Sequence, residues 1–230
     1  GKTAINYKKI INSVGSYYHP YHVYIFNDLI QTLPKKEFLS GIPEILKCGL
    51  IKKNKIIRYL NNKKESIIAR EFEIIKELIV ESLSTKIHFF QNDINEKNTR
   101  LYLNFGHTFA HAFEMSTAKL IKNDYLRHGE AVGIGILCEL YYANRKSKQI
   151  DIVQKILSDF NLPIKVLDEN KYDSKLIQKI QSQTYKYIFL DKKKINNNPR
   201  YISLKKNFIP KTEEMKNNEL IDETIFKFIK

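Results

Sequence analysis

The chain has little that would let it be read as secreted, membrane-bound or nucleic-acid-binding. It contains two cysteines in 230 residues, Cys48 and Cys138. They form no motif, so no disulfide framework or cysteine metal site is expected, and a reducing, cytoplasmic setting fits. Its longest apolar run, Ala131 to Cys138, is far short of the length needed to cross a bilayer. Arginine is scarce: six of the 39 basic residues, at 58, 70, 100, 127, 145 and 200. The net charge of +14 is therefore mostly lysine spread over the whole chain. Nucleic-acid binders concentrate charge on one face and favour arginine forks, and no RRM, KH, zinc-finger or helix-turn-helix pattern is present. The charge reads as solvated surface plus an anionic-substrate site. There is no internal repeat and no initial methionine; the opening Gly1-Lys2-Thr3 is expected to belong to a fragment or processed product.

What is present is a globular composition, 43% hydrophobic and 12% aromatic, and one dense polar stretch. It runs Asn104-Phe105-Gly106-His107-Thr108-Phe109-Ala110-His111-Ala112-Phe113-Glu114, then, after a polar break, Leu126-Arg127-His128-Gly129-Glu130-Ala131-Val132. Half of the six histidines fall here. His107 and His111 are one helical turn apart, so both imidazoles leave one face. Two histidines on a half-apolar helix are, by themselves, more often packed and hydrogen-bonded than ligating. Here Asn104, Glu114 and Glu130 add polarity that is expensive to bury unless a cation or an anionic ligand satisfies it.

Around this stretch the periodicity is mainly helical. Residues Leu33 to Cys48 read as helical, with Pro34 in a first turn. Pro43 either kinks a helix or begins a new one, since an interior proline removes a hydrogen bond at a cost of about 3 kcal/mol. Apolar residues at three- and four-residue spacing predict helices between Ile56 and Phe90, over Ala131 to Leu137, Ile150 to Phe160, Tyr172 to Ile180 and Leu220 to Ile229. Tyr21 to Phe26 reads as a strand. Asn196 to Pro199 reads as a turn and Tyr201 to Leu204 as a strand of a small late hairpin.

The segment Asn-Phe-Gly-His-Thr-Phe-x-His-Ala-hydrophobic-Glu followed by His-Gly-Glu-Ala-Val resembles the 3-dehydroquinate synthase family of sugar phosphate cyclases. The resemblance covers nearly the whole chain, most strongly 32 to 137. It implies a mainly α fold: a helical metal- and substrate-binding domain over 33–230, preceded over 1–32 by the end of an NAD-binding α/β domain. It implies metal ligands Glu44, His107 and His128, of which Glu44 alone would read as an ordinary surface carboxylate. One carboxylate and two imidazoles with an open position is a catalytic zinc pattern, and cobalt accepts the same set. It implies substrate contacts at Lys47, Lys86, Arg100, Asn104, His111 and, from Asp191-Lys192-Lys193, at Lys192 or Lys193, with Glu96 at a family glutamate counted among the catalytic residues. His111 is the candidate for proton transfer. NAD contacts are implied at Lys2, Asn12 and Leu29-Ile30-Gln31-Thr32, with Ile11 standing where the family has lysine, as Pro43 replaces alanine and Ile94 an acid.

The activity so implied converts 3-deoxy-D-arabino-heptulosonate 7-phosphate to 3-dehydroquinate and phosphate, in the shikimate pathway. NAD oxidises the substrate transiently, phosphate is eliminated, the ketone is re-reduced and an aldol step closes the ring. The implied partner is a small anionic sugar phosphate, with a homodimer as the assembly. Rival readings are another sugar phosphate cyclase, a metal-dependent alcohol dehydrogenase, a truncated or decayed member, or a basic nucleic-acid-binding module.

Overall fold

The computed structural model of the chain describes residues 2–7, 10–52, 55–122, 124–168, 170–190 and 198–230. Lys192 and Lys193 lie outside the described residues. The chain divides into two compact units, Gly1–Thr32 and Leu33–Lys230.

In the first unit, β1 (Lys2–Tyr7) and β2 (Ile10–Tyr17) pair antiparallel, with an irregularity between Ile5 and Tyr7. This hairpin was not expected from the sequence. The predicted strand at Tyr21 to Phe26 is absent. That segment is irregular with its large side chains exposed, and a short β-prone run with no pairing partner cannot hold a strand. A 3-10 turn, Asn27–Thr32, follows.

The second unit is helical. Its order is α1 (Lys35–Ser40), α2 (Ile42–Ile51), α3 (Ile56–Asn62), α4 (Lys64–Ile68), α5 (Phe72–Asn92), a 3-10 turn Thr99–Asn104, α6 (His107–Leu120), α7 (His128–Ala143), α8 (Lys148–Asp159), α9 (Ser174–Ile188), the hairpin β3 (Arg200–Lys205) and β4 (Ile209–Glu214), and α10 (Asn218–Ile229). The question over Pro43 resolves as a new helix. Gly41 separates α1 from α2, and Pro43 sits in the first turn of α2, where its missing N–H belongs to the amides that have no helical partner. Later helix starts follow ordinary capping chemistry: the Asp173 side chain accepts from the Leu176 amide at 2.7 Å and the Asn217 side chain from the Leu220 amide at 3.0 Å.

The centre of this unit is α7. It is buried at almost every position from Gly129 to Leu140, as expected for a helix apolar all round. It packs against α2, α6, α8, α10 and β3. The late hairpin is present; the first half of the turn expected at Asn196–Pro199 lies outside the described residues, and the reversal is at Lys206–Phe208. Asn207 takes a left-handed conformation there (φ 65°), which asparagine tolerates better than most residues.

Candidate functional site

Glycine contacts bring three helices close enough to share a site. Gly106 precedes α6 with φ 82°, a left-handed turn, and a Cβ there would lie 2.7 Å from the Ile136 side chain and 2.9 Å from the Val132 carbonyl. Only glycine combines that dihedral with that approach, so α6 begins directly against α7. Gly129 does the same for the start of α7: a Cβ would sit 1.6 Å from the Ser40 carbonyl oxygen at the end of α1. An ion pair from Arg127 Nε to Glu37 Oε1 at 2.5 Å ties the same two elements, and Glu130 reaches back to the Arg127 amide at 2.9 Å. Since α2 follows α1 after a single residue, Glu44 is carried to the first turns of α6 and α7.

On α6 the spacing sorts the side chains. Phe109 and Phe113 are fully buried, while His107, His111 and Glu114 line the partly exposed face. Glu44 Oε1 lies 3.5 Å from His107 Nε2 and 3.8 Å from His128 Nε2. The other nitrogen of each ring is engaged. His107 Nδ1 stands 3.2 Å from the Phe105 carbonyl, and His128 Nδ1 stands 3.2 Å from Glu114 Oε1. A carbonyl and a carboxylate can only accept, so each Nδ1 carries a hydrogen, and in the neutral ring each Nε2 presents a lone pair. Glu44 Oε1 is itself buried with no hydrogen-bond partner. Three lone pairs thus face one another, an arrangement that repels unless a cation lies between them. This donor set fits a divalent metal.

The electrostatics agree. Burial alone would raise the Glu44 carboxyl. The charge of Lys47, a 2.7 Å hydrogen bond from its Nζ and the charge of Lys86 oppose that burial and hold the pKa at about 2. Burial, the Lys47 charge and His111 push His107 down to about 2 against the attraction of Glu44, so its ring is neutral. His128 is raised by its hydrogen bond to Glu114 despite partial burial.

The other expected residues fall around this cluster in different ways. The His111 ring is 5.4 Å from that of His107 and 6.0 Å from that of His128. A narrow cavity of about 30 Å³ is lined by Asn104, His107, Thr108 and His111 on one side and by Arg200, Tyr201, Ile202 and Thr212 of the hairpin on the other. Asn104 donates to Glu96 Oε1 at 2.9 Å. The Arg100 guanidinium covers the Phe90 ring at 4.9 Å and donates to the Ile94 carbonyl at 2.6 Å. Asp93, beside Ile94, accepts from the amides of Lys97, Asn98 and Arg100 and so shapes the turn that leads to Asn104. Leu29, Ile30, Gln31 and Thr32 form the 3-10 turn of the first unit. Lys2 and Asn12 lie on β1 and β2, with side chains outside the described residues.

Two residues were not singled out as site residues from the sequence. Glu114 orients His128, and its position one helical turn beyond His111 on the same face could have signalled it. Glu139, in the apolar run of α7, is fully buried and accepts from the Ile202 amide at 2.7 Å. Nothing in its spacing points to the site.

Comparison with known proteins identifies the family and the fold. The family model described as 3-dehydroquinate synthase C-terminal matches residues 41–194, and that described as 3-dehydroquinate synthase N-terminal matches residues 1–40. The 3-dehydroquinate synthase of Dictyoglomus thermophilum is 40% identical over 145 residues, 62% of this chain and 39% of that protein. The Legionella pneumophila (strain Philadelphia 1) enzyme is 34% identical over 212 residues, 90% of this chain and 53% of that protein. The chain thus spans about half or less of these relatives' length. Two solved structures share the fold across 99% of the chain. One is 2-deoxy-scyllo-inosose synthase complexed with carbaglucose-6-phosphate, NAD+ and Co2+ (TM-score 0.76, 23% identity, 62% of that chain). The other is the 2-epi-5-epi-valiolone synthase ValA of Streptomyces hygroscopicus subsp. jinggangensis 5008 with NAD+ and Zn2+ bound (TM-score 0.75, 19% identity, 61% of that chain). With the C-terminal model matched across most of the helical unit, this chain belongs to the 3-dehydroquinate synthase family.

Proposed function

We propose that the chain carries the metal and substrate centre of a 3-dehydroquinate synthase acting on 3-deoxy-D-arabino-heptulosonate 7-phosphate. The observation that carries this reading is the convergence of Glu44, His107 and His128 lone pairs around a buried, unpartnered carboxylate oxygen. Those three residues would hold zinc or cobalt, and Glu114 would orient His128 from behind. In the same reading residues 1–32 are the end of an NAD-binding domain and 33–230 the catalytic one, and the family's homodimer is part of the proposal. Bound there, the metal would supply Lewis acidity to a substrate diol, and NAD would accept and return a hydride.

The chain's own side chains do the rest. Lys47, buried against Glu44, and Lys86 on α5 give the site a positive field suited to a phosphorylated acid. His111 stands beside the two ligand histidines, placed to exchange a proton with the departing phosphate. Asn104, held by Glu96, offers an amide to substrate hydroxyls. Arg100, seated on Phe90, and Lys192 or Lys193 would add to anion binding.

The test has two stages. Elemental analysis of the chain is expected to find about one zinc, lost in both Glu44→Ala and His128→Ala. Release of inorganic phosphate from the heptulosonate substrate by the full-length protein, in the presence of NAD and zinc, is then expected to exceed release from glucose 6-phosphate. Wild-type protein that takes up no metal would sink the metal centre. A preference for glucose 6-phosphate would favour another sugar phosphate cyclase, the reading that the inosose synthase neighbour keeps alive.

A further inference from the structure

We propose that Glu139 is a positioning residue for His107: from inside α7, its carboxylate clamps the backbone on both sides of that histidine to β3. The inference rests on reading Glu44, His107 and His128 as a metal centre. Glu139 is fully buried between Cys138 and Leu140, and Oε2 accepts from the Ile202 amide at 2.7 Å while Oε1 has no hydrogen-bond partner. The amides of Gly106 and Thr108, which flank His107, also act on this carboxyl. A second tie joins the same elements two residues away on β3, where Thr108 Oγ1 donates to the Arg200 carbonyl at 2.6 Å. The His107 ring in turn rests on the Phe105 carbonyl through Nδ1, so the direction of Nε2 depends on the backbone from Phe105 to Thr108.

Burying a carboxyl with one oxygen unpartnered is unfavourable, and burial pushes its pKa up to about 8 despite the surrounding amides. An apolar residue would pack the same helix position at lower cost, as its neighbours do. A carboxyl there gains one thing an apolar side chain cannot: it accepts from the Ile202 amide of β3 while its charge is drawn to the Gly106 and Thr108 amides at the start of α6, two elements far apart in sequence that wall the same cavity. A shift of a fraction of an ångström at a ligand's backbone is enough to degrade a metal site.

The experiment uses the full chain with Glu139→Met, close in shape but unable to accept, and Glu139→Gln, which keeps an acceptor. Zinc affinity is read by competition with a chromophoric chelator. Amide exchange at Gly106, Thr108 and Ile202 is read in the metal-free protein. Glu139→Met is expected to lose protection at these amides and to bind zinc on the order of 10–100-fold more weakly, with Glu139→Gln restoring both. Wild-type zinc affinity in Glu139→Met overturns the proposal while leaving the metal centre intact. Absence of zinc binding in the wild type removes the centre itself and the proposal with it. Should Glu139→Met fail to fold, Glu139→Asp takes its place, its carboxylate withdrawn by one methylene. A similar loss of affinity then supports the proposal, and unchanged affinity overturns it.

Discussion

At Glu114 the behaviour of the site turns on one proton. The carboxylate accepts from His128 Nδ1 and so raises the imidazole's pKa, which means a second proton competes for Nε2 up to a higher pH than at an ordinary histidine. The sign follows directly. A histidine whose folded pKa lies above its unfolded value contributes stability that is complete below the unfolded value and is lost as pH rises through the folded one. Zinc needs the same Nε2 free, so its affinity should climb as pH rises through that upper value. Glu114→Gln lowers the His128 pKa, and the pH at which zinc is half lost should move down. At alkaline pH, where no proton competes, the same variant should bind zinc on the order of tenfold more weakly, because the ring loses its orienting partner. Zinc competition titrations across the neutral range check both, and an unmoved midpoint would mean that Glu114 does not control the proton.

Helix packing sets how near the ligands come, and here small residues decide. Gly129→Ala puts a methyl 1.6 Å from the Ser40 carbonyl, a backbone atom that cannot turn aside. The expected outcome is a loss of roughly 1–3 kcal/mol or more in denaturant unfolding, with weakened zinc binding, because α7 must withdraw from α1. Gly133→Ala is the control: its Cβ would meet the end of the Leu157 side chain at 3.0 Å, which can shift. Equal losses in both would mean that Gly129 is not what seats α7. At this scale the sequence was legible where local periodicity governs. The α6 face with His107 and His111, the buried run of α7 and the helices α8 to α10 all follow from apolar spacing. The late hairpin follows from the β-like run Tyr201 to Leu204, while its reversal at Lys206-Asn207-Phe208, with no glycine or proline to mark it, does not stand out in the sequence. Tyr21 to Phe26 failed as a strand for want of a partner, and Arg100 found Phe90 and the Ile94 carbonyl only once Asp93 had shaped the turn before it.

For the molecule as a whole, the two units bear on the proposed cofactor unequally. The segment matching the N-terminal family model is residues 1–40, against 41–194 for the C-terminal one, and the sequence resemblance puts Ile11 where a lysine is expected. The 230-residue chain is therefore expected to bind NAD weakly, with no saturation at micromolar concentrations in isothermal titration. Low-micromolar affinity would refute this. Among the described residues no helix is long and apolar enough to cross a membrane, in line with the short apolar runs of the sequence.

By itself the sequence determined what the segments of the helical unit are: which stretches are helical, which faces are apolar, and that histidines, glutamates and lysines resembling a sugar phosphate cyclase pattern stand in that order. These are properties of spacing and side-chain chemistry, carried by the chain locally. Only the tertiary structure decided what meets what. Glu44 is 63 residues from His107 in the sequence and 3.5 Å from it in space because glycines let α1, α6 and α7 touch. Glu139, unmarked by any motif, acquires a partner only when β3 folds back onto α7. Such contacts depend on the sum of many packing choices far apart along the chain, which no local pattern records.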